Sequence, residues 1–267
     1  MATVAEPSMD GGQGHRPNRV ARAIDRWIYV FMVGWFIVIA FVGFVPDALT
    51  TSSAIRVGQA QPFTSIMPLH AALMVAWLML SLTQTILMAT GNWRRHQWLG
   101  RLAFLLVPAM VATMLIALRA SYRAEWYFAQ AAPPDVRAPH LAYLTHASGA
   151  LLGPLEGAFL FPLLVFIALK ARRNDPNLHK RMMVLATAAV LPAALVRMTW
   201  LPHFPFEYSA YLIGALLPMF CWDVFRHRTV PRAYVVWFAI WAPLEVGLSL
   251  FAGRPWLDAA IPHLMGV

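Results

Sequence analysis

The sequence predicts an all-α polytopic membrane protein with seven transmembrane helices, of which helices two to five form a four-helix core. Only 12% of the 267 residues are charged and 60% are apolar, with a mean hydropathy of +0.58. A soluble domain has about 25% charged residues. Apolar runs recur at the length of roughly 20 residues that a helix needs to cross a bilayer, and most basic residues lie between these runs.

The chain divides into three regions. Residues 1–26 are polar and rich in Gly and Arg, which predicts a disordered cytoplasmic tail. Residues 27–252 form the predicted transmembrane helical domain, and residues 253–267 form a short outer C-terminal tail. The seven predicted spans are residues 27–45, 67–90, 98–118, 146–169, 182–200, 208–222 and 233–252.

The basic residues predict the orientation and the partners. Fifteen of the 21 Lys and Arg residues lie on the side of the amino terminus, which predicts a cytoplasmic amino terminus and an outer carboxyl terminus in a bacterial inner membrane. These residues do not cluster in one domain, so we expect no nucleic acid. We expect a lipid bilayer with anionic lipids at the cytoplasmic face. Whether the chain also binds a partner in a membrane complex or forms a homodimer stays open.

Four histidines lie at the ends of four consecutive predicted helices. His70 and His146 open spans two and four at the outer face, whereas His96 and His179 precede spans three and five at the inner face. Alternate helices run parallel, so diagonal pairs of a four-helix bundle could supply the two axial imidazoles of a b-type haem. The two layers lie about 30 Å apart, so one haem between His70 and His146 is the simpler prediction.

Other interpretations of these positions stay open. His96 and His179 lie among arginines, where solvated or headgroup-binding histidines are common. The small residues Gly149, Gly153 and Gly157 that follow His146 are also typical of plain helix packing. If iron is held elsewhere, His203 is the next candidate.

Two resemblances follow from these residues. The four-histidine layout is similar to that of the ascorbate-reducible di-haem cytochromes b, which implies transmembrane electron transfer with the four histidines as axial ligands. This chain departs from that layout by an extra helix and by inner histidines at the membrane edge. The motif His96-x-x-Leu99-Gly100-Arg101, with the later His179-Lys180-Arg181-Met182, resembles a widespread family of uncharacterised bacterial membrane proteins over residues 66–200. That resemblance implies no settled activity.

Charged residues also fall well inside predicted spans. Glu156 and Glu245 lie near the bilayer midplane, and Arg197 lies near the outer end of helix five. Burying a lone charge costs at least ~2.5–3.5 kcal/mol, so each needs a partner, a proton or water. We expect Arg197 to pair with either glutamate or to hold a haem propionate. The sequence thus predicts a membrane redox protein, with a small transporter or channel-like bundle, or an accessory subunit, as alternatives. It assigns no enzymatic reaction.

Overall fold

The computed structural model describes residues 19–204 and 206–267. It is 83% helical and has no strand among these residues. The helices in chain order are α1 (Arg19–Arg56), α2 (Ile66–Ala89), α3 (Trp93–Leu99), α4 (Ala103–Ala131), α5 (Pro134–Thr145), α6 (Ala147–Ala171), α7 (Pro176–Ala188), α8 (Pro192–Leu195), α9 (Glu207–His227), α10 (Arg232–Phe251) and α11 (Pro255–Met265). A 3₁₀ turn, Gly100–Leu102, joins α3 to α4.

The prediction of seven spans in an all-α membrane protein is confirmed. The described residues contain seven helical segments long and apolar enough to cross a membrane. One combines α3, the 3₁₀ turn and α4, and another combines α7 and α8. The segments are Arg19–Arg56, Ile66–Ala89, Trp93–Ala131, Ala147–Ala171, Pro176–Leu195, Glu207–His227 and Arg232–Phe251.

Both predicted tails differ from what the structure describes. Residues 19–26 belong to α1 rather than to a disordered tail, while residues 1–18 of that tail lie outside the described residues. Polar contacts hold this first part of α1, because Asp25 accepts a 2.9 Å hydrogen bond from Trp222 Nε1. The predicted tail 253–267 contains α11, which packs on α4 and α6.

The predicted four-helix core is formed by α2, α4, α6 and α7, which pack on one another in that order. Trp77 of α2 joins the group, because its ring meets Phe161 of α6 edge-on at 4.9 Å between centroids. Its Nε1 donates to Thr187 Oγ1 of α7 at 3.3 Å. The α7 span is the most deeply buried of the seven. The core extends further than predicted, since α1, α9 and α10 add buried side chains to it.

The fifth span is broken, and α1 packs closely against the break. Helix α7 ends at Ala188 and α8 begins at Pro192, which has no N–H to continue a helix. Gly43 of α1 lies directly against the main chain of Ala194: a Cβ there would overlap the Ala194 carbonyl oxygen and lie 2.9 Å from the carbonyl carbon. Only glycine allows this approach of the two helices.

The bundle has two different ends. We define the basic end as the end where α1 begins and where the α2–α3, α6–α7 and α9–α10 turns lie; α5 and α11 lie at the opposite end. There Asp258 of α11 accepts a 2.9 Å hydrogen bond from the N–H of Ser148 at the start of α6. The hydrogen bonds from Ser148 hold the pKa of the Asp258 carboxyl below its usual range. Helix α11 is therefore fixed to the bundle by a charged cap of α6.

Candidate functional site

Two of the four histidines meet at the basic end. His96 of α3 and His179 of α7 have ring centroids 6.5 Å apart, with planes crossing at 79°. Both residues are half-buried. The start of α7 is fixed because Asp175 accepts from the N–H of Leu178 at 2.9 Å and Pro176 occupies the first helical position. This places His179 in the first turn of α7, against the end of α6.

The surroundings of this pair contain unpaired polar atoms. Nδ1 of His179 forms a 2.8 Å hydrogen bond with the carbonyl of Ala168. In contrast, Nδ1 of His96 and both amide atoms of Gln84 are buried without a hydrogen-bond partner among the described residues. His96 interacts with the main chain of Gln84, and a Cβ on Gly100 would lie 3.6 Å from Gln84 Nε2, so these groups are neighbours. Buried polar atoms without partners are rare and costly, which marks this cluster as a candidate binding site.

An ion pair that the sequence analysis missed holds α7 in place. Arg181, two residues after His179, donates from Nε and Nη2 to the two carboxylate oxygens of Asp223 in α9, at 2.8 and 2.5 Å. Each side chain is only 5% exposed. Tyr234 of α10 donates a further 2.8 Å hydrogen bond to Asp223. The sequence feature that could have revealed this network is Asp223, an acidic residue at the basic end of span six.

The structure does not bring the other two histidines together. His70 donates from Nδ1 to Thr113 Oγ1 at 3.0 Å, since the Thr113 hydroxyl itself donates to the carbonyl of Ala109. His146 is exposed and precedes the first residue of α6. No ring contact joins His70 to His146 in the described part of the chain. The pair predicted for a single haem is thus not formed, whereas the pair at the basic end is.

The partner of Arg197 also differs from the prediction. Its Nε donates to Asp47 Oδ2 of α1 at 3.1 Å, and its guanidinium lies 4.6 Å from the ring centre of Phe44. Neither Glu156 nor Glu245 pairs with it, which corrects the expected ion pair. The physical reason is that α1 extends past the predicted end of span one, which carries Asp47 to the level of Arg197.

Instead, Glu156 of α6 and Glu245 of α10 contact each other through their carboxyl groups. The hydroxyl of Ser209 in α9 donates to Glu245 Oε1 at 2.5 Å. Oε1 of Glu156 is buried and has no partner among the described residues. Two carboxyls within predicted membrane spans therefore lie together, and no Lys or Arg described here pairs with them.

A cavity of about 500 Å³ lies next to this carboxyl pair at the opposite end. Ser209 and Glu245 line it together with His203, Phe204, Phe206, Glu207 and Tyr208. His203, the alternative iron ligand predicted from the sequence, is bound here by Glu207, with 3.0 Å between Nδ1 and Oε1. Glu245 lies six residues before the end of α10, about 9 Å along the helix. The cavity thus reaches from the start of α9 to the carboxyl pair.

The fold and these contacts define a seven-helix membrane protein with a two-histidine cluster at its basic end and a carboxyl pair toward the other. Comparison of the chain with protein-family models, with curated proteins and with solved structures finds no match. A fold by itself does not determine an activity, so the function is inferred from the side chains that lie together.

Proposed function

We propose that this chain is an integral membrane redox protein that binds one b-type haem between His96 and His179. The observation that carries the proposal is the 6.5 Å distance between the two ring centroids. A metal–imidazole bond is about 2 Å long, so two imidazoles on opposite sides of one metal ion have centroids about 6 Å apart. Two rings whose planes cross at 79° can still share one ligand axis.

The donor chemistry of the cluster supports the same site. Because Nδ1 of His179 bonds the Ala168 carbonyl, that nitrogen carries the proton and Nε2 keeps a free lone pair. This arrangement is typical of metal-ligating histidines. The unpartnered atoms of His96 and Gln84 are consistent with a ligand that completes their contacts. The outer pair, His70 and His146, lacks such convergence.

The residues around the pair position the two histidines and take no part in electron transfer themselves. A haem with two imidazole ligands supplies reversible one-electron transfer. Asp175 fixes the start of α7, and the buried Arg181–Asp223 pair fixes the next turn against α9, so His179 has a defined position. With one site at the basic end, electrons would be exchanged with a partner at that end, not carried across the bilayer.

The charge asymmetry supports a cytoplasmic location of the basic end in a bacterial inner membrane, where anionic lipid would gather. The proposed orientation predicts that a reporter fused after Val267 is active only on the outer side. A fusion at that position that is active only in the cytoplasm would contradict this orientation.

The absorption spectrum of the purified protein, expressed with ample haem, tests the proposed function. We expect a low-spin b-type spectrum that is lost or converted to a five-coordinate form in His96→Ala and in His179→Ala. The matched controls, His70→Ala and His146→Ala, remove histidines at the opposite end and should leave the spectrum unchanged. Size-exclusion profiles confirm that each variant is folded. A wild-type protein without a Soret band, or a spectrum lost in His146→Ala alone, would overturn the proposal.

The carboxyl pair favours a second candidate function, a small transporter or channel-like bundle that moves protons or another cation. Glu245 lines the cavity and contacts Glu156, whose Oε1 has no partner among the described residues. Intramembrane carboxyls of this kind commonly mark ion pathways. Proteoliposomes with an internal pH dye test this function: we expect proton uptake that Glu245→Gln abolishes and His96→Ala leaves intact. Uptake that persists in Glu245→Gln would exclude this pathway.

A further inference from the structure

Helices α9 and α10 are consecutive but, apart from α7, pack on different neighbours. Helix α9 packs on α1, α7 and α8, whereas α10 packs on α6 and α7. Hydrogen bonds join the two helices near both ends: Tyr234 to Asp223 at the basic end, and Ser209 to Glu245 at the opposite end. Between these two links lies a groove of about 470 Å³ with an almost wholly apolar lining. The two helices therefore flank an open groove that their own side chains do not fill.

The groove and the cavity at the opposite end lie along the same faces of the two helices. On α9, Ser209 of the cavity is followed by Ile213, Leu216 and Phe220 of the groove at steps of four, three and four residues. On α10, Glu245 of the cavity lies seven residues after Phe238 of the groove. Such spacings place residues on one helix face. We call the cavity and the groove together the α9–α10 cleft.

The two parts of the cleft differ in chemistry. The cavity offers the carboxyl group of Glu245 beside the rings of Phe204, Phe206 and Tyr208, and it has no Lys or Arg in its lining. Its other carboxylate, Glu207, is already hydrogen-bonded to His203. Carboxylates and aromatic faces are the groups that bind ammonium ions. The groove beneath offers only apolar side chains and the rings of Phe220, Tyr234, Trp237 and Phe238, which suit an alkyl chain.

We propose that the α9–α10 cleft binds a cationic amphiphile, with its ammonium group beside Glu245 and its alkyl chain along the groove. Charge complementarity selects this occupant, because the carboxyl pair behind the cavity has no cationic partner among the described side chains. The proposal shares Glu245 with the second candidate function but needs no transport, since binding is measured at equilibrium. It does not depend on the haem site at the basic end.

Equilibrium dialysis with the full chain in phosphatidylcholine nanodiscs tests the binding. Three probes separate the parts of the ligand: decyltrimethylammonium has head and chain, tetramethylammonium has the head alone, and decanol has the chain alone. Empty nanodiscs give the partition into lipid. We expect saturable binding of one decyltrimethylammonium per chain, at least about tenfold tighter than tetramethylammonium, because the groove buries the alkyl chain. Decanol binding that is equally tight would overturn the role of the carboxylates.

Two substitutions and one control locate the site. Glu245→Gln keeps an acceptor for Ser209 but removes the charge, and should weaken both ammonium probes about tenfold. Leu217→Trp fills the groove, where Leu217 is 46% exposed, and should weaken only the probe with the alkyl chain. Glu125 of α4 pairs with His140 of α5 at the same end but outside the cleft. Glu125→Gln removes an equal charge there and should change neither.

Equal effects of Glu245→Gln and Glu125→Gln would reduce the binding to general surface charge and overturn the proposal. Decyltrimethylammonium affinity that Leu217→Trp leaves unchanged would also overturn it. A groove that holds phosphatidylcholine of the nanodisc, which the ammonium probe does not displace but Leu217→Trp does, would overturn it as well. Loss of ammonium binding in Glu245→Gln with proton uptake intact would separate this proposal from the second candidate function.

Discussion

The buried ion pair between Arg181 and Asp223 gives the sharpest stability prediction. Replacing Asp223 by Asn leaves the side-chain shape nearly unchanged but removes the charge that faces the guanidinium. Arg181 then keeps its positive charge with both side chains only 5% exposed, and Tyr234 loses part of its acceptor. Removing one partner of a buried pair costs about 3–5 kcal/mol, because the other charge stays desolvated. We expect a loss of unfolding free energy in that range.

A matched pair at the same end provides the control. Asp25 and Arg226 form an Asp–Arg pair of the same chemistry, 3.0 Å between oxygen and nitrogen, with side chains 36% and 35% exposed. Water and salt screen such a pair, so Asp25→Asn should cost no more than about 1 kcal/mol. Reversible unfolding of both variants in mixed micelles, followed by helical circular dichroism, measures the two losses.

The double variant Arg181→Met with Asp223→Leu extends the test. Replacing both members of a buried pair by apolar residues of similar size is often neutral, so this variant should regain most of the stability lost in Asp223→Asn. The double variant can still be measured if Asp223→Asn does not accumulate as a folded protein. Equal losses for Asp223→Asn and Asp25→Asn would refute the reasoning that burial, not charge alone, makes the first pair important.

Two further predictions concern packing at the opposite end. Gly43→Ala should lower the unfolding free energy by about 1–3 kcal/mol, since its Cβ would overlap the Ala194 carbonyl. The control Gly34→Ala, in the same helix, places its new Cβ more than 4 Å from any neighbouring atom and should be neutral in the same unfolding assay. Because the pKa of Asp258 is lowered in the folded protein, its ionised carboxylate stabilises the docking of α11. This stabilisation is complete at pH values above the pKa of an unfolded Asp, about 3.9, and is lost as the pH falls through the lower pKa of the folded state. Hydrogen exchange of α11, corrected for intrinsic rates, should show this loss in the wild type and not in Asp258→Asn; the same pH dependence in both would contradict it.

The sequence predicted the membrane spans well because their cause is local. A helix that crosses a bilayer needs a long apolar run, and that property is visible in the residues themselves. The ends of the helices were less visible. Residues 19–26 and α11 are polar or short, and they are helical because contacts from distant residues such as Trp222 and Ser148 hold them.

Partners in the candidate sites depended on helix packing, which a single sequence does not reveal. Arg197 was expected beside a glutamate, but α1 carries Asp47 to it. The histidine layout predicted that diagonal helices could bring imidazoles together, and His96 and His179 do lie 6.5 Å apart. Which of the two pairs is formed depended on where α6 begins, because His146 precedes its first residue and is exposed.

Binding of a single haem by His96 and His179 at the basic end is the central claim. The most direct test is the haem-to-protein ratio of the purified full-length chain, determined from its haem absorbance and its amino-acid content. We expect one haem per chain in the wild type and none in the His96→Ala, His179→Ala double variant. A ratio of two, as the di-haem layout would give, or a ratio of zero in the wild type would contradict the claim.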